Sequence, residues 1–277
     1  MNVLSLFDGI SCLQIAMERL GLSINNYYAS EIDKNSIKVT QSNYPKTIQL
    51  GDVNDIDFNS FQNIDLLGGG SPCQDISNLN KKKKGLKGAK SSLFYKFIEA
   101  KEKLNPPWWL LENVSGTDTN IITRELKKRP IKMDSNWVTP QNRNRYYWTN
   151  IPVNSLPQRR KTKLSDILEI KIEDKYYQSE AWNIWWLANK DFQLSKSYST
   201  LNANKAGCLT ARMYASWNGN FIQDEKGIRR LTVVECERLQ TIPDHYTKGI
   251  SDTAAYKALG DCWTVDIVAH ILNHIPK

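Results

Sequence analysis

The 277-residue chain has only three histidines, and its five cysteines stand at 12, 73, 208, 236 and 262 with no CxxC pair among them. An odd, scattered set of thiols argues against a disulfide framework, and with so few histidines it argues against a structural zinc site. No apolar run is long enough to cross a bilayer, and the opening MNVLSLFD lacks the basic start of a signal peptide. These absences predict a reduced, cytoplasmic protein with no membrane partner and a thiol available for chemistry. Neither GxGxxG nor GxxxxGK occurs, so a conventional phosphate cradle is excluded. No internal repeats occur either. What is present, 40% hydrophobic and 24% charged residues, is the composition of a folded chain. The net charge of +8 suits a polyanionic partner, although it serves solubility equally well.

The N-terminal half alternates between short apolar runs and helical patterns. NVLSLF reads as a strand running into Asp8-Gly9, and Leu13, Ala16, Met17 and Leu20 share one face of a helix that Gly21 would end. NYYASEI predicts a second strand ending at Glu31, and a helix follows from Asp33 to about Asn43. TIQL leads to Asp52, and IDLLGGG reads as a buried strand emptying into a glycine-rich turn. This rhythm predicts an α/β fold with an open parallel sheet covered on both faces. Its ligand site should lie outside the carboxyl ends of the strands, where Asp8, Glu31, Asp52 and Ser71 to Cys73 fall.

SNLNKKKKGLKGAKSS reads as a loop, SLFYKFIEAKEKL as a helix, and WWLLENV as a buried strand delivering Glu112 and Asn113. Residues 118 to 129 predict a helix, and Gln141 to Trp148 a return to the sheet. From Ile151 to about Thr200 the pattern weakens, with Trp182, Trp185 and Trp186 among charged residues; this predicts a small second lobe or a large insertion. RRLTVVECERLQTIP and AAYKALGDCWTVDIVAHIL predict two further helices, the last packing on the sheet.

Four groups of residues carry chemistry. Cys73, in GGGSPCQ at the end of a predicted strand, is placed for nucleophilic attack if a helix N-terminus or an arginine favours its thiolate; the alternative is a buried structural thiol. Glu112 follows four apolar residues, so desolvation could fit its carboxyl for acid work, or it could satisfy a helix N-terminus. In QNRNR, strand alternation would point Gln141, Arg143 and Arg145 to one side. Two such guanidiniums need carboxylates, phosphates or a polar substrate opposite them, unless they line a solvated edge. Asp8, Glu31 and Asp52 each read as a loop cap, but together they suggest a cofactor held through ribose hydroxyls.

LFDGI, YYASEID, GDV, GGSPCQD, ENV at 112 to 114, QNRNR at 141 to 145, RRLTVVECERLQTIP from 229 and GDCWTVDIVAHI from 260 follow one another almost end to end. In that series the chain resembles the DNA cytosine methyltransferases that methylate carbon 5, particularly compact phage and bacterial members. The resemblance implies a Rossmann-like, S-adenosylmethionine-dependent methyltransferase fold with a small target-recognition lobe. Residues 1–150 would form the catalytic and cofactor-binding core, 151–225 the recognition region, and 226–277 helices returning to the core. S-adenosylmethionine, leaving as S-adenosylhomocysteine, would lie among Phe7, Asp8, Gly9, Ile10, Glu31, Ile32, Asp52, Val53, Ser71, Pro72 and Trp263. Phe7 would meet adenine and Glu31 the ribose hydroxyls. Cys73 would be the nucleophile and Glu112 the partner of cytosine N3, with Arg143 and Arg145 positioning base and thiolate; no metal is implied.

The implied substrate is double-stranded DNA with the target cytosine flipped out, the Lys81 to Lys84 run meeting phosphates as its loop closes. A monomer or weak dimer in a bacterial or phage-infected cytoplasm follows from the same resemblance, with a paired restriction endonuclease left open. Two departures stand out. After Gly260, Asp261-Cys262 stands where the family usually has Asn followed by a small residue, so a negative charge would approach the cofactor carboxylate unless the loop turns away. Cys12 and Leu13 occupy positions where relatives often carry small residues. In the recognition region Arg159, Arg160 and Lys161 could touch phosphates, and Asn202, Asn204, Lys205 or Arg212 could meet base edges. For any single one of these, structural or solvent-facing work is the favoured reading. The Cys-Phe-Thr signature of the transfer-RNA branch is absent.

Overall fold

The computed structural model describes residues 1–71, 92–195, 199–215 and 219–276. Pro72, Cys73 and the Lys81 to Lys84 run lie outside the described residues.

The short apolar runs form the centre of a seven-stranded sheet. Strands β1 (Asn2–Leu6), β2 (Asn26–Ser30), β3 (Ile48–Gln49), β4 (Leu66–Gly70) and β5 (Trp108–Val114) are joined by β6 (Ile131–Asp134) and β7 (Asn144–Thr149). The spatial order is β3-β2-β1-β4-β5-β7-β6. The first five strands run parallel, whereas β7 is antiparallel to both β5 and β6. The open parallel sheet expected from the sequence is therefore mixed at one side. Connection length accounts for this: β6 and β7 are too close in sequence for the long crossover that a parallel pair requires.

Helices flank the strands where caps and apolar faces direct them. α1 (Cys12–Arg19) buries Leu13, Ile15, Ala16 and Met17. α2 (Lys34–Asn43) begins at Asp33, whose carboxylate accepts from the Asn35 and Ser36 amides at 3.0 and 3.1 Å. α3 (Ser92–Leu104) contributes the fully buried Phe94, Phe97 and Ala100 to a core with Leu4, Leu6, Leu67, Leu111 and Trp148. α4 (Thr119–Leu126) adds Ile122 and Leu126. The glycines of GGG are part of β4 rather than of a turn. A Cβ on Gly68 would stand 2.4 Å from Leu13 Cδ2, and one on Gly69 would stand 2.8 Å from Phe97. The leucine at position 13 is thus accommodated because the strand beneath it has no side chain there.

The chain divides into two compact units. One comprises residues 1–134, 144–156 and 265–277, the other 135–143 and 157–264. Residues 226–264 fall with 157–225 in the second unit, and 265–277 fall in the first. Physically, AAYKALGDCWTVDIVAHIL is not one helix: it forms α8 (Asp252–Asp261) and α9 (Val265–Leu272), separated at Cys262-Trp263-Thr264. α9 packs against α1 in the first unit.

The second unit has its own small sheet, with β8 (Thr200–Leu201), β9 (Asn220–Asp224) and β10 (Gly227–Arg230) in the order β10-β9-β8. α5 (Glu180–Ala188) and α6 (Lys190–Leu194) precede it, and α7 (Val233–Leu239) follows it. Trp186, Phe221 and Ile228 form a minor core joined by Trp182, while Trp185 remains 40% exposed. Arg229 is only 2% exposed and holds Glu235 through both guanidinium nitrogens, at 2.8 and 2.9 Å. Glu235 also closes the capping box of α7 with Thr232. The motif RRLTVVECER is therefore a strand, a cap and a helix braced by one buried ion pair.

Candidate active site

The first unit gathers its polar residues where parallel strands end. Leu6 is in register with Ser30 and Gly69, and Gly70 with Glu112, so the residues after each strand share one sheet edge. From β1 the chain enters a tight loop in which Phe7, Gly9 and Ser11 all have φ near +60° (57°, 60° and 57°). Gly9 has nothing within 4 Å of where a Cβ would stand, so the loop presents open backbone at that point.

Two carboxylates hold this loop. Asp8 accepts from the Tyr27 hydroxyl at 2.7 Å and from the Ser11 hydroxyl. Burial pushes the Asp8 carboxyl above its ordinary value, while hydrogen bonds from Ser11, Ser5 and Tyr27 pull the other way. Glu31, just past β2, accepts from the Gly9 amide at 2.8 Å through Oε2. Its Oε1 accepts from the Ile32 and Asp33 amides at 2.7 and 2.8 Å. Three backbone donors thus orient one carboxylate. Beyond β3, Asp52 Oδ1 accepts from the Asn54 amide at 2.9 Å and caps a short helical turn.

These residues fit a nucleoside. An oriented carboxylate is a natural acceptor for ribose hydroxyls. Ile32, 70% exposed beside Glu31, and the half-buried Phe7 offer apolar surface for a base. Ile10 and Val53 are buried at 1% and 4%, and Val53 belongs to the core cluster. Ser71, 5% exposed, accepts at Oγ from Asn113 Nδ2 at 3.2 Å, linking the end of β4 to that of β5. Trp263 is half-buried and belongs to the second unit.

Glu112 sits on β5, 8% exposed, with Gly70 and Tyr147 in register on either side. Arg145 lies diagonally across the β5–β7 pair, opposite Val114, and its Nε stands 2.9 Å from Glu112 Oε1. Glu112 and Arg145 are therefore in contact.

Arg143 is placed differently. β7 begins only at Asn144, so strand alternation does not reach back to Gln141 and Arg143. Within the second unit, Arg143 donates to the carbonyls of Leu209 (2.8 Å), Gly260 (3.1 Å) and Cys262 (2.8 Å). Gln141 likewise donates to the Leu239 carbonyl and accepts from the Leu209 amide, each at 3.0 Å. At Gly260, whose carbonyl Arg143 holds, a Cβ would stand 2.1 Å from the Thr210 backbone. Asp261 is exposed at the end of α8, and the Cys262 thiol donates to the Leu259 carbonyl. Among the described residues no group of three or more His, Cys, Asp or Glu side chains could hold a metal ion.

Comparison with known proteins fits this arrangement. The profile described as C-5 cytosine-specific DNA methylase matches residues 1–135 and 124–277. The chain belongs to that family.

Among curated members, it is 28% identical to the type II methyltransferase M1.ScrFI of Lactococcus lactis subsp. cremoris, over 96% of this chain and 76% of that protein. It is 27% identical to the type II methyltransferase M.NlaX of Neisseria lactamica, over 99% and 96%. The solved methyltransferase EhMeth of Entamoeba histolytica superposes with a TM-score of 0.81 at 17% identity, covering 99% of this chain and 97% of that one. The Dnmt2 methyltransferase of S. pombe gives 0.77 at 17% identity, covering 98% and 97%. The fold is thus the Rossmann-like one of S-adenosylmethionine-dependent methyltransferases. Among the described residues no helix is long and apolar enough to cross a membrane.

Proposed function

We propose that this methyltransferase transfers a methyl group from S-adenosylmethionine to carbon 5 of cytosine in a short context of double-stranded DNA. The observation that carries the reading is the Glu112–Arg145 pair at the end of β5, beside the strand end from which the chain runs through Ser71 toward Cys73. S-adenosylmethionine, held by Glu31, Asp52 and the Phe7–Gly9 loop, would supply the methyl group as a sulfonium electrophile that carbon 5 takes up.

Carbon 5 of cytosine is a poor nucleophile while the ring is aromatic. The Cys73 thiolate adds to carbon 6, forming a carbon–sulfur bond and pushing an electron pair into the ring, which makes carbon 5 enamine-like. Glu112 hydrogen-bonds or protonates N3 and so offsets that charge, while Arg145 orients Glu112 and adds its own positive field. After carbon 5 is methylated, a base removes its proton. The electrons restore the double bond and expel Cys73. A stacked base is out of reach of such a set, so the cytosine must leave the duplex. Arg143, the fourth catalytic residue expected from the sequence, acts in this reading as a positioning residue through the carbonyls that it holds.

The test incubates purified protein with S-adenosylmethionine and unmodified DNA of mixed sequence, then reads 5-methylcytosine at base resolution. Methyl groups confined to one short context support the proposal. Cys73→Ala should abolish transfer while retaining DNA binding. A Cys73→Ala protein as active as the parent would refute the covalent mechanism, and transfer to RNA in place of DNA would refute the substrate.

A further inference from the structure

The segment Pro157 to Leu164 reads PQRRKTKL: four cations within five positions and no acid. Arg159, Arg160, Lys161 and Lys163 are all exposed. Some exposed cations elsewhere are answered by carboxylates. Lys103 pairs with Glu99 at 2.9 Å and Lys175 with Asp252 at 3.1 Å. Among the described residues no carboxylate comes within 4.0 Å of the charged groups of Arg159, Lys161 or Lys163.

The strip is also held in place. The Arg160 amide donates to the Trp137 carbonyl at 2.7 Å, and its guanidinium donates to the Val138 carbonyl at 3.2 Å. The Arg159 guanidinium lies over the Trp137 ring, 5.8 Å from its centroid. The Leu164 amide donates to the Asn204 carbonyl at 2.8 Å, and Lys205 Nζ donates to the Asn136 carbonyl at 2.6 Å. Residues 136–138, 159–164 and 204–205 therefore make one braced ridge of the second unit, with its cations turned to solvent. Like charges on a braced backbone repel one another, and the nearby Asp166 carboxylate accepts from the Lys163 amide at 2.8 Å. That repulsion is relieved when a polyanion approaches and its counterions are released.

We propose that Arg159, Lys161 and Lys163 form a phosphate-contacting strip that grips the backbone of the substrate duplex, with Arg160 fixing the strip to the 136–138 segment. This rests on the DNA reading given above. The strip holds the duplex in register and carries no sequence information, because phosphate contacts position while base contacts specify. Lys205 and Asn202 are committed to backbone groups, Asn202 bracketing Gln223 at 2.9 and 3.3 Å. The residues free to meet base edges thereby narrow toward Asn204 and Arg212.

The test measures duplex binding against salt for the parent, for R159Q/K161Q/K163Q, and for K127Q/K128Q/R129Q, which removes the same charge from an exposed run of the first unit. Loss of three phosphate contacts should flatten the dependence of log affinity on log salt by about 2–3. Binding should weaken about tenfold at about 0.15 M salt, with the methylated sequence context unchanged. R159K/K161R/K163R, which keeps the charge, should restore the slope. Where the parent methylates DNA, an unchanged slope in R159Q/K161Q/K163Q overturns the strip alone, as does an equal loss in the first-unit control. A parent that neither binds nor methylates duplex DNA, or prefers RNA, overturns the DNA reading and the strip with it.

Discussion

Arg145–Glu112 and Arg229–Glu235 are the same chemical pair in two settings. The first sits at the end of β5 with its side chains 13% and 11% exposed, joined through Nε and Oε1 at 2.9 Å. The second lies in the other unit with side chains 2% and 0% exposed, joined in two-pronged fashion. Both oxygens of Glu235 carry further donors, the Thr232 amide at 2.9 Å and the Glu169 amide at 3.0 Å. Saturation and full enclosure make Glu235 a brace. In the proposed mechanism Glu112, less enclosed and at a strand end, is the member of the two that meets the substrate. Residue type is identical in the two pairs, so burial and position in the fold separate chemistry from architecture.

The comparison is broken or sharpened first by Glu112→Gln. The glutamine still accepts from Arg145 but cannot deliver a proton to N3. We expect kcat/KM for methyl transfer to fall by about 10²–10⁴-fold, with urea unfolding showing a loss of only about 1–2 kcal/mol. A Glu112→Gln protein of unaltered activity but collapsed stability would make both pairs braces.

Glu235→Gln should do the reverse. It leaves the Arg229 charge buried against a neutral partner, and such a break costs about 3–5 kcal/mol. Total stability of a domain is about 5–15 kcal/mol, so the urea midpoint should drop visibly. Transfer per folded molecule, measured where the variant is still folded, should stay within a few-fold of the parent. Specific loss of turnover with stability intact would contradict the assignment.

Much of the edge where the strands end was legible in sequence because parallel strands announce themselves twice, as an apolar run and as the polar residue that ends it. NVLSLF before Asp8, NYYAS before Glu31 and WWLL before Glu112 each follow that form, and each strand appears where expected. Asp33 likewise marked the start of α2 correctly. Direction was not legible, because alternation along NRYYWT is the same for a parallel and an antiparallel strand. Nor was the separation of Arg143 from Arg145. Arg143 is spent on the carbonyls of Leu209, Gly260 and Cys262, partners far along the chain. A small second lobe was expected, but its assembly was not legible for a related reason: its minor core combines Trp186, Phe221 and Ile228, which no local period connects.

Asp8 gives the smallest effect and the finest version of the comparison, since its partners are the hydroxyls of Tyr27 and Ser11 in place of a guanidinium. Burial raises its carboxyl above the ordinary value despite those hydroxyls. The folded protein then binds a proton at Asp8 more tightly than the unfolded chain does. The associated stability is fully present below the unfolded value, about pH 4, and is lost as pH rises through the raised folded value. Asp8→Asn has no such proton to lose. In urea titrations at fixed ionic strength, the variant should therefore gain on the parent as pH climbs from about 4, and the gap should level off once Asp8 is ionised in both states. The opposite slope would mean that hydroxyl donors alone outweigh desolvation at the end of β1. In that case a carboxylate at this edge would need no cationic partner, and the Arg145 beside Glu112 would be there for the substrate alone.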